Sequence, residues 1–353
     1  MAAIRRGLQI GGARVDTGGM GDRRDGSATP EGERSAGGEK RSALPRRARR
    51  ERRSPDPVGA DPASAPTPTG PARAPVPMGE AAGLSPSDAE LLAGLPGAGA
   101  RGEWELYYQP KVAAGTRRIE SVEALLRWEH PTMGTLPPER FVLVAETSTL
   151  LSELTRWVIG EALDAQVRWR DVPLTLPVAV NLSAQLIGDL DLLDWIGQQL
   201  QVRGLGPQVL TVEITETADM GAPALAAPFL IALRAYGIRV SVDDFGTGYT
   251  SLNALALLPL DELKIDQAFI RRSATSSADE AVIQSVRELG HRLGLKVVAE
   301  GVEDEATARR LTDLGLDVLQ GFYFSPPLSE EALLPFVAAD HRAHRQASGQ
   351  LDI

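Results

Sequence analysis

From Trp104 onward, two patterns of apolar and polar positions alternate along the chain. One is a short, nearly continuous apolar run rich in Val, Ile and Leu, as expected of strands buried on both faces. The other is a longer stretch in which apolar residues return every three or four positions, the mark of an amphipathic helix. The runs Leu106–Val112, Ile119–Trp128, Val178–Leu182, Val209–Thr215, Arg239–Val242, Glu262–Ile265, Lys296–Ala299 and Val318–Leu319 predict eight strands. Helices are predicted over Glu139–Trp169, Leu190–Val202, Ala224–Tyr236, Ser251–Leu257, Asp279–Leu293, Asp304–Leu314 and Ser329–Val337, with a short one opening at Ser87, where Glu90 completes a capping box. Repeated strand-then-helix units of this number predict the α/β class, as a TIM-like (β/α)8 barrel. The first two strands are joined by a hairpin-length link around Gly115, so they are predicted to be antiparallel.

Residues 1–84 show neither period. Rich in Gly, Pro, Ala, Arg and Ser, they cannot bury enough apolar surface to offset ordering entropy, and a disordered segment and linker is expected there, with Met78 an alternative start of translation. The barrel is expected over 85–338, with a flexible tail over 339–353.

Charge divides the same way. Residues 1–79 carry 15 Lys/Arg against 9 Asp/Glu, and residues 80–353 carry 22 against 38. The acidic part is the folded part, which argues against a surface for nucleic-acid polymers. An anionic substrate inside it would need cations. With no cysteine and four histidines in no ligating spacing, a metal site must be built from Asp, Glu and Asn oxygens, which suits Mg2+ or Mn2+. No membrane span or signal peptide is found, and a cytoplasmic location is expected.

The candidate chemistry follows from where the polar residues fall. Ser241-Val242-Asp243-Asp244-Phe245-Gly246-Thr247-Gly248-Tyr249 delivers two carboxylates at a strand end, and strand alternation would point them to opposite sides of the backbone. Glu123 lies in the second strand, Asn181 after the third, Glu213 and Glu216 on and after the fourth, Lys264 and Asp266 at the sixth, Glu300 and Glu303 after the seventh, and Gln320 at the eighth. Singly, each has a bland explanation as a helix cap, a helix-start acid or a snorkelling lysine. Together they meet at one mouth of a barrel, where so many buried polar groups need a ligand.

Tyr108-Gln109-Pro110, Glu123-Ala124-Leu125-Leu126-Arg127, Asn181-Leu182-Ser183, Glu213-Ile214-Thr215-Glu216, Asp243-Asp244-Phe245-Gly246-Thr247-Gly248, Lys264-Ile265-Asp266, Ala299-Glu300-Gly301-Val302-Glu303 and Gln320-Gly321 together resemble the EAL-domain family of cyclic-di-GMP phosphodiesterases. The resemblance runs from about Glu103 to Leu328. It implies a (β/α)8 barrel with an antiparallel first strand, two Mg2+ or Mn2+ ions, and hydrolysis of cyclic di-GMP to linear pGpG. It further implies that Glu123, Asn181, Glu213 and Asp243 hold one metal, and that Asp243, Asp244 and Glu300 hold the other. Lys264 resembles the lysine that orients the attacking water, and Glu300 is offered two roles, ligand or general base, that the sequence leaves open. Gln109, Arg127 and Gln320 resemble substrate contacts, while Glu216, Asp266 and Glu303 resemble supporting residues. Pairing as a homodimer is also implied. In place of the family's usual Thr-Gly-Leu the chain has Ser148-Thr149-Leu150, in a turn expected to lie away from the metals. A different class of function, a non-catalytic cyclic-di-GMP receptor or interaction module on the same barrel, would be expected to have lost one of these acids or the lysine.

Overall fold

A computed structural model describes residues 86–171, 176–215, 223–246 and 252–347. The expected disordered segment, Glu216, and Thr247 to Tyr249 of the glycine-rich turn lie outside them.

Among the described residues nine strands form one sheet: β1 (Trp104–Ala113), β2 (Ile119–His130), β3 (Gly134–Leu136), β4 (Val178–Leu182), β5 (Leu210–Thr215), β6 (Arg239–Phe245), β7 (Glu262–Ile265), β8 (Lys296–Ala299) and β9 (Val318–Gln320). Their order is β1-β9-β8-β7-β6-β5-β4-β2-β3, and the pairing of β1 with β2 closes the ring. Eight strands make the barrel, and β3 is a short antiparallel addition on β2. As predicted, β1 runs antiparallel to β2, and it is antiparallel to β9 as well, while the remaining barrel pairs are parallel.

The helices are α1 (Pro86–Gly94), α2 (Pro138–Glu146), α3 (Leu151–Arg168), α4 (Leu190–Arg203), α5 (Pro223–Tyr236), α6 (Leu252–Leu257), α7 (Gln267–Arg272), α8 (Ser277–Arg292), α9 (Glu305–Asp313) and α10 (Glu330–Ala347). Several start where a side chain takes up the first free amides. The Asp189 carboxylate accepts from Leu192 N at 3.0 Å, the Ser276 hydroxyl from Asp279 N at 3.2 Å, and the Asp304 carboxylate from Thr307 N at 2.8 Å.

Strand alternation divides the barrel into two chemistries. Outward positions are apolar and buried beneath helices: Val122, Val178, Val180, Val212, Ile214, Val240, Val242, Leu263, Ile265 and Val297 are all 0–1% exposed. Inward positions carry the polar residues. The register sets Gln109 beside Glu123, Asn181 beside Glu213, Glu213 beside Ser241, and Ser241 beside Glu262, so the polar set forms bands around the ring.

Besides the unforeseen strand β3, three local features differ from the sequence reading. The helix expected over Glu139–Trp169 is two helices, because Thr147 and Ser148 donate their hydroxyls to Val144 O and Ala145 O at 2.8 Å and the Ser148 oxygen then accepts from Leu150 N at 3.2 Å. These side chains offer the backbone an alternative to helix, at the Ser148-Thr149-Leu150 departure. The short helix α7, not foreseen, is capped by Asp266, whose carboxylate accepts from Ala268 N at 2.9 Å. The last helix, expected to end at Val337, continues to Ala347, so most of the expected flexible tail is helical. It is held there because Asp340 accepts from Ile119 N at 3.2 Å and His344 Nε2 lies 2.9 Å from Thr116 O.

Candidate active site

Glu123, Glu213 and Asp243 meet inside the barrel mouth because each occupies an inward phase of its own strand. Ligating oxygens of Glu123, Glu213 and Asp243 lie within 4.8 Å of one another, and so do those of Asp243, Asp244 and Glu300. Asp243 belongs to both sets. Its sharing depends on a distortion of β6. An undistorted strand would point Asp243 and Asp244 apart, but the register with β7 shifts between Val242 and Phe245, and Asp244 takes a left-handed φ of 56°. Its amide donates back to Asp243 Oδ1 at 2.8 Å. Both side chains therefore reach the same cluster. Gly246 follows at φ 101°, where a Cβ would lie 2.8 Å from the Phe269 ring.

Lys264 stands at the centre. Its Nζ is 2.5 Å from Glu300, 2.8 Å from Glu213, 3.0 Å from Asp243 and 3.5 Å from Glu123. Neutral donors complete the first cluster: Asn181 Nδ2 donates to Glu123 Oε1 at 2.8 Å, and Gln320 Nε2 to Glu123 Oε2 at 2.7 Å and Gln109 Oε1 at 3.0 Å. Gln109 donates in turn to Ser325 O at 3.2 Å. The Gln320 Oε1 atom is buried without a hydrogen-bond partner among the described residues.

Burial and charge compete strongly here. Burial opposes the charge on Glu123, yet Lys264, Lys111 and the two amide donors outweigh it and hold the carboxyl down to about 2. For Glu213 burial wins over the two lysines, pushing it up to about 7. Burial raises Asp244 to about 6, helped by the neighbouring charges of Asp243 and Asp266. Burial likewise raises Glu300 well above the carboxylate range against the pull of Lys264. For Lys264 itself, burial favours the neutral amine, but the surrounding carboxylates prevail and raise it well above its ordinary value. The cluster thus carries more acid than its lysines neutralise.

The sequence-predicted residues fall into three groups. Glu123, Asn181, Glu213, Asp243, Asp244, Lys264, Glu300, Gln109 and Gln320 come together as described. Arg127 and Glu303 stand further out, lining a cavity of about 360 Å3 with Glu123, Asp243, Glu300 and Gln320. Arg127 donates to Leu126 O and its guanidinium sits 5.7 Å from the Tyr107 ring centroid, while Glu303 is exposed and pairs with Arg271 at 3.1 Å. Asp266 neighbours Asp244, whose carboxyl it helps to push up, and caps α7. Three residues were not singled out: Lys111, Glu262 and Ser241. Lys111 is 1% exposed and bridges Glu213 and Glu262, and Ser241 donates to Glu262 Oε1 at 3.2 Å. The available signal was a lysine inside the run Leu106–Val112.

Similarity to known proteins agrees with this arrangement. The EAL domain model matches residues 93–327. The chain is 42% identical over 250 residues to "Bifunctional diguanylate cyclase/cyclic di-GMP phosphodiesterase MucR" of Pseudomonas aeruginosa, covering 70% of this chain and 36% of the relative. It is 36% identical over 251 residues to "Cyclic di-GMP phosphodiesterase RocR" of the same organism, covering 71% of this chain and 63% of the relative. It therefore spans about a third of the one and under two thirds of the other. A solved structure described as "PaMucR Phosphodiesterase, c-di-GMP complex" superposes with a TM-score of 0.67 at 42% identity, over 69% of this chain and 99% of that one. Since the matched region takes in all eight barrel strands and every carboxylate of the two clusters, the chain belongs to the EAL domain family.

Proposed function

We propose that this protein is a metal-dependent phosphodiesterase that hydrolyses one phosphodiester of cyclic di-GMP to linear pGpG. The observation that carries the reading is the pair of carboxylate clusters sharing Asp243. Glu123, Glu213, Asp243, Asp244, Glu300 and Glu262 bring six carboxylates to the barrel interior, and Lys111 and Lys264 bring two ammonium groups. The formal deficit is four charges, which two divalent cations supply. The donors are all oxygens, which fits Mg2+ or Mn2+.

Glu123, Asn181, Glu213 and Asp243 would hold one cation, and Asp243, Asp244 and Glu300 the other. When bound, such a pair neutralises a phosphodiester's charge and lowers the pKa of water. The remaining work belongs to the chain. Lys264, fixed by its carboxylate contacts, places positive charge where negative charge accumulates in the transition state. Glu300 borders the cavity, and its membership of the second cluster favours the ligand role over the base role. Gln109 and Gln320 present amides to the cavity for a guanine edge or a ribose, and Arg127 lies on its wall for a phosphate. Relatives named for cyclic di-GMP and a related structure described as its complex support the choice of substrate.

A homodimer is part of this proposal; exposed Leu257 on α6 supplies apolar surface for it. Light scattering at micromolar concentration tests it, a one-subunit mass counting against. Among the described residues no helix is long and apolar enough to cross a membrane; action in the cytoplasm is part of the same proposal.

The deciding experiment incubates the purified protein with cyclic di-GMP and Mg2+ or Mn2+ and separates the nucleotides by chromatography, with an EDTA control. Metal-dependent pGpG is expected. Binding without product would make the barrel a receptor instead.

A further inference from the structure

Beneath the carboxylate clusters lies a second polar layer, one step along the strands from the mouth. It enters from β1. Because β1 runs against its neighbours, its interior positions descend from Gln109 at the cavity to Lys111 below it, two residues or about 7 Å deeper. Lys111 Nζ contacts Glu213 Oε1 and stands 3.2 Å from Glu262 Oε1. On the opposite side Glu213 Oε2 accepts from Lys264 at 2.8 Å. The Glu213 carboxylate, 0% exposed, is therefore gripped through both oxygens, from the mouth by one lysine and from the floor by another.

We propose that Lys111 is a positioning residue for the metal centre: it fixes the Glu213 carboxylate from the barrel floor, and Glu262, itself oriented by Ser241, holds Lys111 in place. This rests on the reading of the carboxylate clusters as a metal centre. The physical case is one of cost. A buried lysine and glutamate rarely repay their desolvation as a pair, and well-packed apolar residues would serve the interior at least as well. The interior here keeps such a pair next to a carboxylate that must hold one orientation. A ligand carboxylate left without a partner on its far oxygen can turn about its last torsion, and loss of such outer partners costs about 10- to 100-fold in metal affinity. Glu262 closes the chain by keeping the Lys111 ammonium from swinging away, and the Ser241 hydroxyl at 3.2 Å fixes the Glu262 oxygen that accepts from it.

The test is Mn2+ binding to the full chain, followed by electron paramagnetic resonance of the free ion, in the wild type and in Lys111→Met, a variant of similar length without the charge. The melting temperature is recorded alongside. The expected result is a Mn2+ dissociation constant weakened by about 10- to 100-fold in a folded variant. A role confined to stability would lower the melting temperature and leave the Mn2+ affinity of the folded protein unchanged, and that result overturns the proposal. Should Lys111→Met not fold, the double variant Lys111→Met with Glu262→Gln, which removes the stranded carboxylate charge, carries the same expectation. Failure of the wild type to bind Mn2+ would overturn both this inference and the metal reading. Tight binding by wild type and variant alike would overturn the inference alone.

Discussion

Two lysines are buried inside this barrel, Lys264 at 0% exposure and Lys111 at 1%. A buried ammonium is tolerated only where opposite charges and acceptors replace its water, and both are met by carboxylates. Glu123 accepts from Asn181, Gln320 and Lys264, so removing it takes an acceptor from three donors and a carboxylate from the first cluster. Glu123→Ala is expected to cut hydrolysis of cyclic di-GMP by about 100-fold or more, taking the range for outer-sphere partners as a floor. Its circular dichroism and cooperative melt should persist, because closure rests on backbone pairing and the apolar outer layer. Full activity in that variant would remove Glu123 from the site. Much of this was legible in the sequence, since acids and a lysine at the ends of buried strands are conspicuous. Lys111 was not, because a lysine near the end of a strand is compatible with a snorkelling edge position until the ring shows which way it faces.

At the scale of elements, turns and bulges decide more than propensity does. Alternation along an ideal β6 would separate Asp243 from Asp244, and the left-handed conformation of Asp244 within the register shift reunites them. Helix α10 shows how a distant contact anchors the start of an element. Arg168 grips the Glu330 carboxylate through Nε at 2.8 Å and Nη2 at 2.6 Å, and Trp169 Nε1 donates to it at 3.0 Å. These donors, the Arg168 hydrogen bond above all, hold the Glu330 carboxyl below the usual glutamate range. A carboxylate with a depressed folded-state pKa contributes stability in full above its unfolded value of about 4.3, and that contribution fades as pH falls through the folded value. Glu330→Gln is therefore expected to cost roughly 1 kcal/mol at neutral pH and to lose the difference from wild type in acid. Parallel urea titrations at pH 7 and pH 3.5 would show this; a difference that persists undiminished in acid would dismiss the ionic contact.

For the molecule as a whole, the carboxylates are a cost of folding that cations would relieve. Six acids facing two lysines repel one another, so a ligand that binds only the folded cluster stabilises it by mass action. At Mn2+ a hundredfold above its dissociation constant the gain is about 2.7 kcal/mol. For a barrel of this size that raises the melting temperature by about 5–10 °C, and EDTA should reverse it. A melt indifferent to Mn2+ would count against a metal centre. The barrel, the antiparallel first hairpin and every acid of the two clusters were legible in the chain, because strand and helix periods and strand-end polarity are local properties. Val178–Leu182, Glu262–Ile265 and Lys296–Ala299 were legible to the residue, being short apolar runs between clear breaks. That Asp243 and Asp244 join one cluster, that Lys111 and Glu262 lie beneath it, and that α2 and α3 are separate emerged with the folded ring alone. Those outcomes depend on a bulge, on ring closure and on side chains competing for backbone hydrogen bonds, none of which has a period to read.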